Sequence, residues 1–159
     1  MFVYVGNAES QSVSIFSLAA GGALTQLGVM AVPGPAKPGS TTPMAVSPDK
    51  RFLFVGLRNG PCSAATFAID GKTGALVYVG SGPLADAMAY IATDQSGRFL
   101  FGASYNGGKI AVSPIGADGV VGATQQVIDG QPNAHAVLAD RANRHVLYTS
   151  LGSDKIGQL

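Results

Sequence analysis

His135 is the residue in this sequence best suited to moving a proton. It stands in Gln131-Pro132-Asn133-Ala134-His135-Ala136, at the start of an apolar stretch. An imidazole there could take a proton from an attacking water. Arg58, in Leu57-Arg58-Asn59-Gly60, could bind a carboxylate or phosphate, or stabilise an oxyanion. Tyr105 and Asn106, ahead of Gly107-Gly108, could supply hydrogen bonds to a ligand. Asp154, in Gly152-Ser153-Asp154-Lys155, could orient His135 or a neighbouring loop. Each group also has a purely structural reading. His135 could be bonded to an adjacent loop, and Arg58 could be solvated. Asn106 could serve the turn before two glycines, and Asp154 could close an Asx-type turn. His145, beside Arg144, reads as part of a strand.

Other chemistries are poorly supported. The sequence has no Walker spacing, Ser-nucleophile elbow, dinucleotide fingerprint or Cys/His metal cluster. No metal or organic cofactor is expected. The single cysteine, Cys62, excludes an internal disulfide framework and reads as a small filler near a turn. Net charge is +1, which gives no electrostatic case for nucleic acid or an anionic membrane. No apolar run approaches the ~20 residues that span a bilayer. Met1 leads straight into Phe2-Val3-Tyr4-Val5 without a basic segment, so no signal peptide is expected and the cytoplasm is the default setting.

The elements that must position these groups show as a repeat. Ser47-Pro48-Asp49-Lys50-Arg51-Phe52-Leu53-Phe54-Val55-Gly56 returns as Thr93-Asp94-Gln95-Ser96-Gly97-Arg98-Phe99-Leu100-Phe101-Gly102. It returns more loosely from Ala139 to Tyr148, and the chain begins inside a copy at Met1 to Gly6. Arg51, Arg98 and Arg144 thus recur about every 47 residues. A period of this size, with β-type residues in each copy, predicts an all-β fold. The expected architecture is a β-propeller of four-stranded antiparallel blades. The recurring arginines suggest a structural task, such as pairing with the turn aspartate upstream.

The blade units read as 1–32, 41–82, 85–129 and an incomplete 132–159, about three and a half blades in one partial propeller domain. In the second unit the strands fall at 43–46, 51–55, 63–69 and 75–80. In the third they fall at 87–92, 98–103, 109–114 and 120–127. The fourth has strands at 135–139 and 145–149 and opens another at Lys155. The first lacks its innermost strand, which a strand from the far end of the polypeptide would complete. The continuously apolar second strands predict blades covered on both faces. The stretch 32–40, rich in Pro and Gly, reads as a long loop. Alternating strand direction gathers Arg58, Tyr105-Asn106, Gln131 to His135 and Gly152 to Asp154 on one end of the blades. Function is expected in such loops on a rigid scaffold.

At this point the residues resemble the lactonase family of seven-bladed β-propellers. The resemblance rests on Val46-Ser47-Pro48-Asp49-Lys50-Arg51, Gly22-Ala23-Leu24-Thr25 and Ser104-Tyr105-Asn106-Gly107-Gly108. Most specific is Gln131-Pro132-Asn133-Ala134-His135-Ala136 followed by Leu151-Gly152-Ser153-Asp154-Lys155-Ile156. It spans essentially the whole chain and implies hydrolysis of a small anionic sugar lactone, namely 6-phosphogluconolactone to 6-phosphogluconate in the pentose phosphate pathway. His135 would be the general base, with Arg58, Tyr105, Asn106, Asn133 and Asp154 around the substrate. The chain departs from the family in three ways. It has about half the expected seven blades, without the Arg and Glu of the later blades. Asn133 stands where many members have His, and Ala139-Asp140-Arg141 stands where they keep Ser-Pro-Asp. The isolated fragment is therefore expected to be inactive. Either a C-terminal half or a second copy should cover its open blade faces. Two rivals stay open: a non-catalytic propeller that binds a partner, and a muconate-type lactonising enzyme of the same family.

Overall fold

The computed structural model describes residues 1–35 and 41–159 of the chain. It is an all-β arrangement of four antiparallel sheets that follow one another in chain order. The first sheet holds β1 (Phe2–Asn7), β2 (Ser12–Leu18) and β3 (Leu24–Ala31). The second holds β4 (Met44–Val46), β5 (Phe52–Leu57), β6 (Ser63–Ile69) and β7 (Leu76–Pro83). The third holds β8 (Tyr90–Thr93), β9 (Phe99–Ser104), β10 (Lys109–Pro114) and β11 (Gln126–Ile128). The fourth holds β12 (Ala134–Ala139), β13 (Val146–Ser150) and β14 (Lys155–Gln158), with a single 3-10 turn at Leu151–Ser153. These are consecutive blades of a partial propeller.

Packing between blades explains the apolar second strands. Val13 and Ile15 of the first sheet pack with Leu53, Val55 and Phe67 of the second. Phe54 and Ala64, on the other side of the second sheet, pack with Met88, Ile91 and Leu100 of the third. Phe101 and Ile110 meet Val137 and Tyr148 of the fourth. Hence β5 and β9 are buried on both faces, as their unbroken apolar runs predict. In contrast, β1 and β13 lie in the end sheets and are covered on one side only. Leu138 and Leu147 pair across β12 and β13 and stay 50% and 42% exposed.

The turn before each second strand shows what the repeat is for. Ser47 Oγ donates to Asp49 Oδ1 at 2.6 Å and accepts the Phe52 N–H at 2.9 Å. In the third sheet Asp94 Oδ1 accepts the N–H groups of Arg98 and Phe99 at 2.8 and 2.9 Å. In the fourth, Asp140 Oδ1 accepts those of Arg144 and His145. The expected pairing of each arginine with its turn aspartate holds for Arg51 alone, whose Nε donates to Asp49 Oδ2 at 2.6 Å. Arg98 Nε donates to Ser96 Oγ instead. The Asp140 carboxylate faces the ring of His145, with Nδ1 at 3.1 Å from Oδ2. Asp94 and Asp140 act mainly on backbone N–H groups, whereas Asp49 takes the Arg51 N–H beside the Ser47 and Arg51 side chains. Arg51 covers Phe52 and Arg98 covers Phe99.

Several strand limits differ from the sequence expectation. The outer strand of the third sheet, expected at 120–127, shrinks to β11. Ahead of it, Val121 forms one bridge to Ile115, and Gly122 and Gln125 donate to Pro114 and Val112. Val121 is drawn instead against the second sheet, with its carbonyl on Gly82 so closely that no Cβ would fit there. The inner strand of the third sheet starts at Tyr90 rather than 87. His145 sits in the turn before β13 rather than within it. The loop read at 32–40 falls in part on 36–40, outside the described residues; its first residue, Val32, is buried and its carbonyl accepts a bond from Gln11 Nε2.

Candidate active site

The turn that delivers His135 is built from its own sequence. The Ala134 N–H donates to the Gln131 carbonyl at 3.0 Å, closing a four-residue turn with Pro132 and Asn133 at its centre. Proline suits the first central position and asparagine tolerates the left-handed second one, where Asn133 has φ 52°. The turn is tied to its surroundings on all sides. Gln131 N–H donates to the Gly108 carbonyl, and Tyr148 Oη donates to Gln131 Oε1 at 2.6 Å. Ser150 Oγ and the Gly152 N–H both donate to the Pro132 carbonyl, at 2.7 and 3.0 Å.

His135 then emerges at an irregularity. Ala134 pairs with Ser150 and Ala136 with Thr149, so β12 carries one more residue than β13 at this point. His135 is the extra residue of a β-bulge. Bulges redirect a side chain, and they are common beside functional sites. The ring meets the ring of Tyr105 edge-on, with centroids 5.5 Å apart and planes at 81°.

Three of the sequence candidates share one space. Arg58, Tyr105 and His135 line a cavity of about 310 Å³ together with Thr41, Thr42, Pro43 and Ala89. Arg58 leaves the end of β5, Tyr105 the end of β9 and His135 the start of β12, so three sheets contribute one group each. Arg58 Nη1 donates to Thr41 Oγ1 at 2.5 Å, which orients the guanidinium. The arrangement brings an imidazole, a guanidinium and a phenol side chain around one cavity.

The other candidates lie elsewhere. Asn106 is exposed at the tip of the β9–β10 hairpin and lines neither this cavity nor the one beside it. Asn133 shapes the turn, and its Nδ2 lies at 3.5 Å from the Tyr105 carbonyl. Asp154 ends the 3-10 turn in the left-handed region, φ 49°, with its N–H on the Leu151 carbonyl. Its exposed carboxylate lines a second, more open cavity of about 610 Å³, which His135 shares with Thr149, Leu151 and Ile156. Among the described residues no hydrogen bond joins Asp154 to His135. No group of three His, Cys, Asp or Glu among the described residues could hold a metal ion.

Sequence reasoning missed the threonine wall at Thr41 and Thr42 and the part played by Thr149. A threonine before a strand carries no sign of facing a cavity. Nearby, Lys109 Nζ lies at 3.8 Å from Asp86 and 3.7 Å from Asp129. Burial pushes the Cys62 thiol up, helped by Asp86, away from thiolate chemistry.

Comparison with known proteins bears on the family and the fold. The family model described as "Lactonase, 7-bladed beta-propeller" matches residues 2–158. A 6-phosphogluconolactonase of Pectobacterium carotovorum is 40% identical over 154 residues, covering 97% of this chain and 44% of the relative. One from Serratia proteamaculans is 39% identical over the same shares. The chain therefore spans a little under half the length of these relatives. Among solved structures, a Bacteroides fragilis protein superposes with TM-score 0.83 at 22% identity, over 99% of this chain and 47% of that one. The Pseudomonas aeruginosa periplasmic gluconolactonase superposes with TM-score 0.76 at 24% identity, over 99% and 48%. At these identities the superpositions speak for the fold. No helix among the described residues is long and apolar enough to cross a membrane.

Proposed function

We propose that this chain, which belongs to the lactonase family of seven-bladed β-propellers, carries part of a site that hydrolyses a small anionic sugar lactone. The observation that carries the reading is the shared cavity of His135, Arg58 and Tyr105. His135 takes a proton from water as the water oxygen attacks the lactone carbonyl carbon. The guanidinium of Arg58 stabilises the tetrahedral oxyanion or holds the anionic group of the substrate. The carbonyl re-forms, the ring C–O bond breaks, and the proton on His135 passes to the departing ring oxygen. The products are one open-chain hydroxy acid and the regenerated imidazole. The relatives' name makes 6-phosphogluconolactone the substrate to try first, and the pentose phosphate pathway the proposed context. A phosphorylated sugar does not cross a bilayer unaided, so the proposed setting is the cytoplasm.

The site needs more wall than these residues supply. One side of His135 opens onto the uncovered face of the fourth sheet, where Leu138, Leu147 and Ile156 are exposed. Val5 and Val29 are exposed on the outer face of the first sheet. Further blades, or failing them a second copy of this chain, are proposed to cover both faces. The 159-residue chain alone should then be inactive. Opening of 6-phosphogluconolactone, corrected for spontaneous hydrolysis, tests this with the chain alone and with the chain joined to the remainder of the Pectobacterium relative. Activity that appears only in the joined protein and depends on His135 supports the reading. Activity untouched by His135→Ala ends it, and tight ligand binding without turnover would favour a binding propeller. Dilution tests the second copy, since a folded monomer at low concentration argues against it.

A further inference from the structure

We infer that Thr149 is a positioning residue that holds His135 in the cavity by stabilising the bulge in β12. The inference rests on the reading above for the chemistry of His135, but its geometry stands alone. At the bulge, Ala136 is opposite Thr149 while Ala134 is opposite Ser150. The extra residue disrupts the local ladder, and a backbone N–H there needs a new acceptor. Thr149 supplies it from its side chain, since the Ala136 N–H donates to Thr149 Oγ1 at 3.1 Å. Beyond the bulge the pairing is regular, from Val137 with Tyr148 to Ala139 with Val146.

The consequence follows from the two-residue period of a strand. Removing a bulge shifts the register by one residue and sends side chains to the opposite face. Residues 136–139 are held by the ladder and by Val137, which is buried against the third sheet. The turn at Gln131 to Asn133 is held by Tyr148 and Ser150. A slip would therefore have to be absorbed at Ala134 and His135. The ring of His135 would leave Tyr105, which sits on a different sheet. Thr149 also lines the open cavity beside His135.

The test uses nuclear magnetic resonance on the 159-residue chain, which has only two histidines. His135 should show contacts to the Tyr105 ring protons and a ring-current shift, with His145 as internal control. In Thr149→Val, which keeps the shape and removes the acceptor, both signatures of His135 should fall by half or more, and the Ala136 amide should lose protection from exchange. Thr149→Ser should restore them, and the His145 signals should stay unchanged throughout. Unchanged His135 signatures in a folded Thr149→Val chain overturn the inference. If that variant does not fold, the unmodified chain decides. Cross-strand contacts that place Ala134 opposite Ser150 and Ala136 opposite Thr149, with a protected Ala136 amide, support it, and a regular ladder overturns it. No lactone enters this experiment, so its outcome is separate from that of the hydrolysis reading.

Discussion

Tyr105 closes the cavity edge-on against His135, with ring centroids 5.5 Å apart. The two residues come from neighbouring sheets, so the contact records how the third and fourth blades sit together. An edge-to-face pair of this kind contributes on the order of 1 kcal/mol beyond its buried area. Tyr105→Phe should keep the His135 ring in place, while Tyr105→Ala should release it. Proton contacts between the two rings report this directly. Loss of the His135 environment in the phenylalanine variant would mean that the hydroxyl, not the ring, does the positioning.

Arg58 should govern substrate affinity more than protein stability. Its guanidinium is oriented by Thr41 and lines the same cavity as His135. In a lactone-hydrolysing protein that contains this chain, Arg58→Gln should raise KM roughly tenfold to a hundredfold, as expected for the loss of a charge-assisted contact of about 1.5–3 kcal/mol. The melting temperature should move little. Steady-state kinetics with and without a phosphate on the lactone would show whether Arg58 reads the anionic group. A purely catalytic role would lower kcat and leave KM unchanged.

Acid should loosen the fourth blade from the third. Burial tends to raise the Asp94 carboxyl, but hydrogen bonds from Ser96, Asn143 and the Phe99 N–H outweigh it and bring the pKa down to about 2. Asn143 Nδ2 donates to Asp94 Oδ2 at 2.9 Å, and the Gln95 N–H donates back to Asn143 Oδ1. A lowered carboxyl contributes stability that is fully present above its ordinary pKa and lost as pH falls through the folded value. The loss should therefore run from about pH 4 down to about pH 2. Thermal unfolding followed by circular dichroism across that range checks it. Asn143→Gly preserves the left-handed backbone at φ 55° and should cost about 1 kcal/mol at neutral pH, with a weaker acid dependence.

Two glycines should respond very differently to alanine. At Gly82 an added Cβ would run into the backbone carbonyl of Val121, which has nowhere to go. At Gly102 it would meet the side chain of Met88, at 2.7 Å from sulfur. A thioether adapts its shape, so Gly102→Ala should cost about 1 kcal/mol and Gly82→Ala roughly 3 kcal/mol. Urea unfolding of the two variants gives the comparison. Equal costs would mean that Val121 is not the anchor between the second and third blades.

Much of the fold was legible because each blade repeats one physical solution. The Ser47, Asp94 and Asp140 turns bind the backbone that follows them, and the doubly buried β5 and β9 read as unbroken apolar runs. The end sheets did not follow that rule, because the sheets that hold β1 and β13 are packed against another sheet on one face only. The outer strand before β11 was overdrawn, because its residues pair like a strand only in part and Val121 is claimed by the blade beside it. For the site, His135, Arg58 and Tyr105 could be gathered from strand direction alone. Asn106 could not be separated from them, since both residues of Tyr105-Asn106 sit in one loop and only the ring of Tyr105 turns inward. The bulge at His135 has no sequence signal, because it depends on how Thr149 faces Ala136 across two strands.

The most direct test of the account is the rate of 6-phosphogluconolactone opening by this chain joined to the remainder of its Pectobacterium relative, compared with its His135→Ala variant. A general base contributes roughly a hundredfold to ten-thousandfold. The account predicts a loss of turnover in that range, with an unchanged melting temperature and with no activity from the 159-residue chain by itself. A variant that turns over at the original rate would contradict it, and would mean that a group other than His135 takes the proton from water.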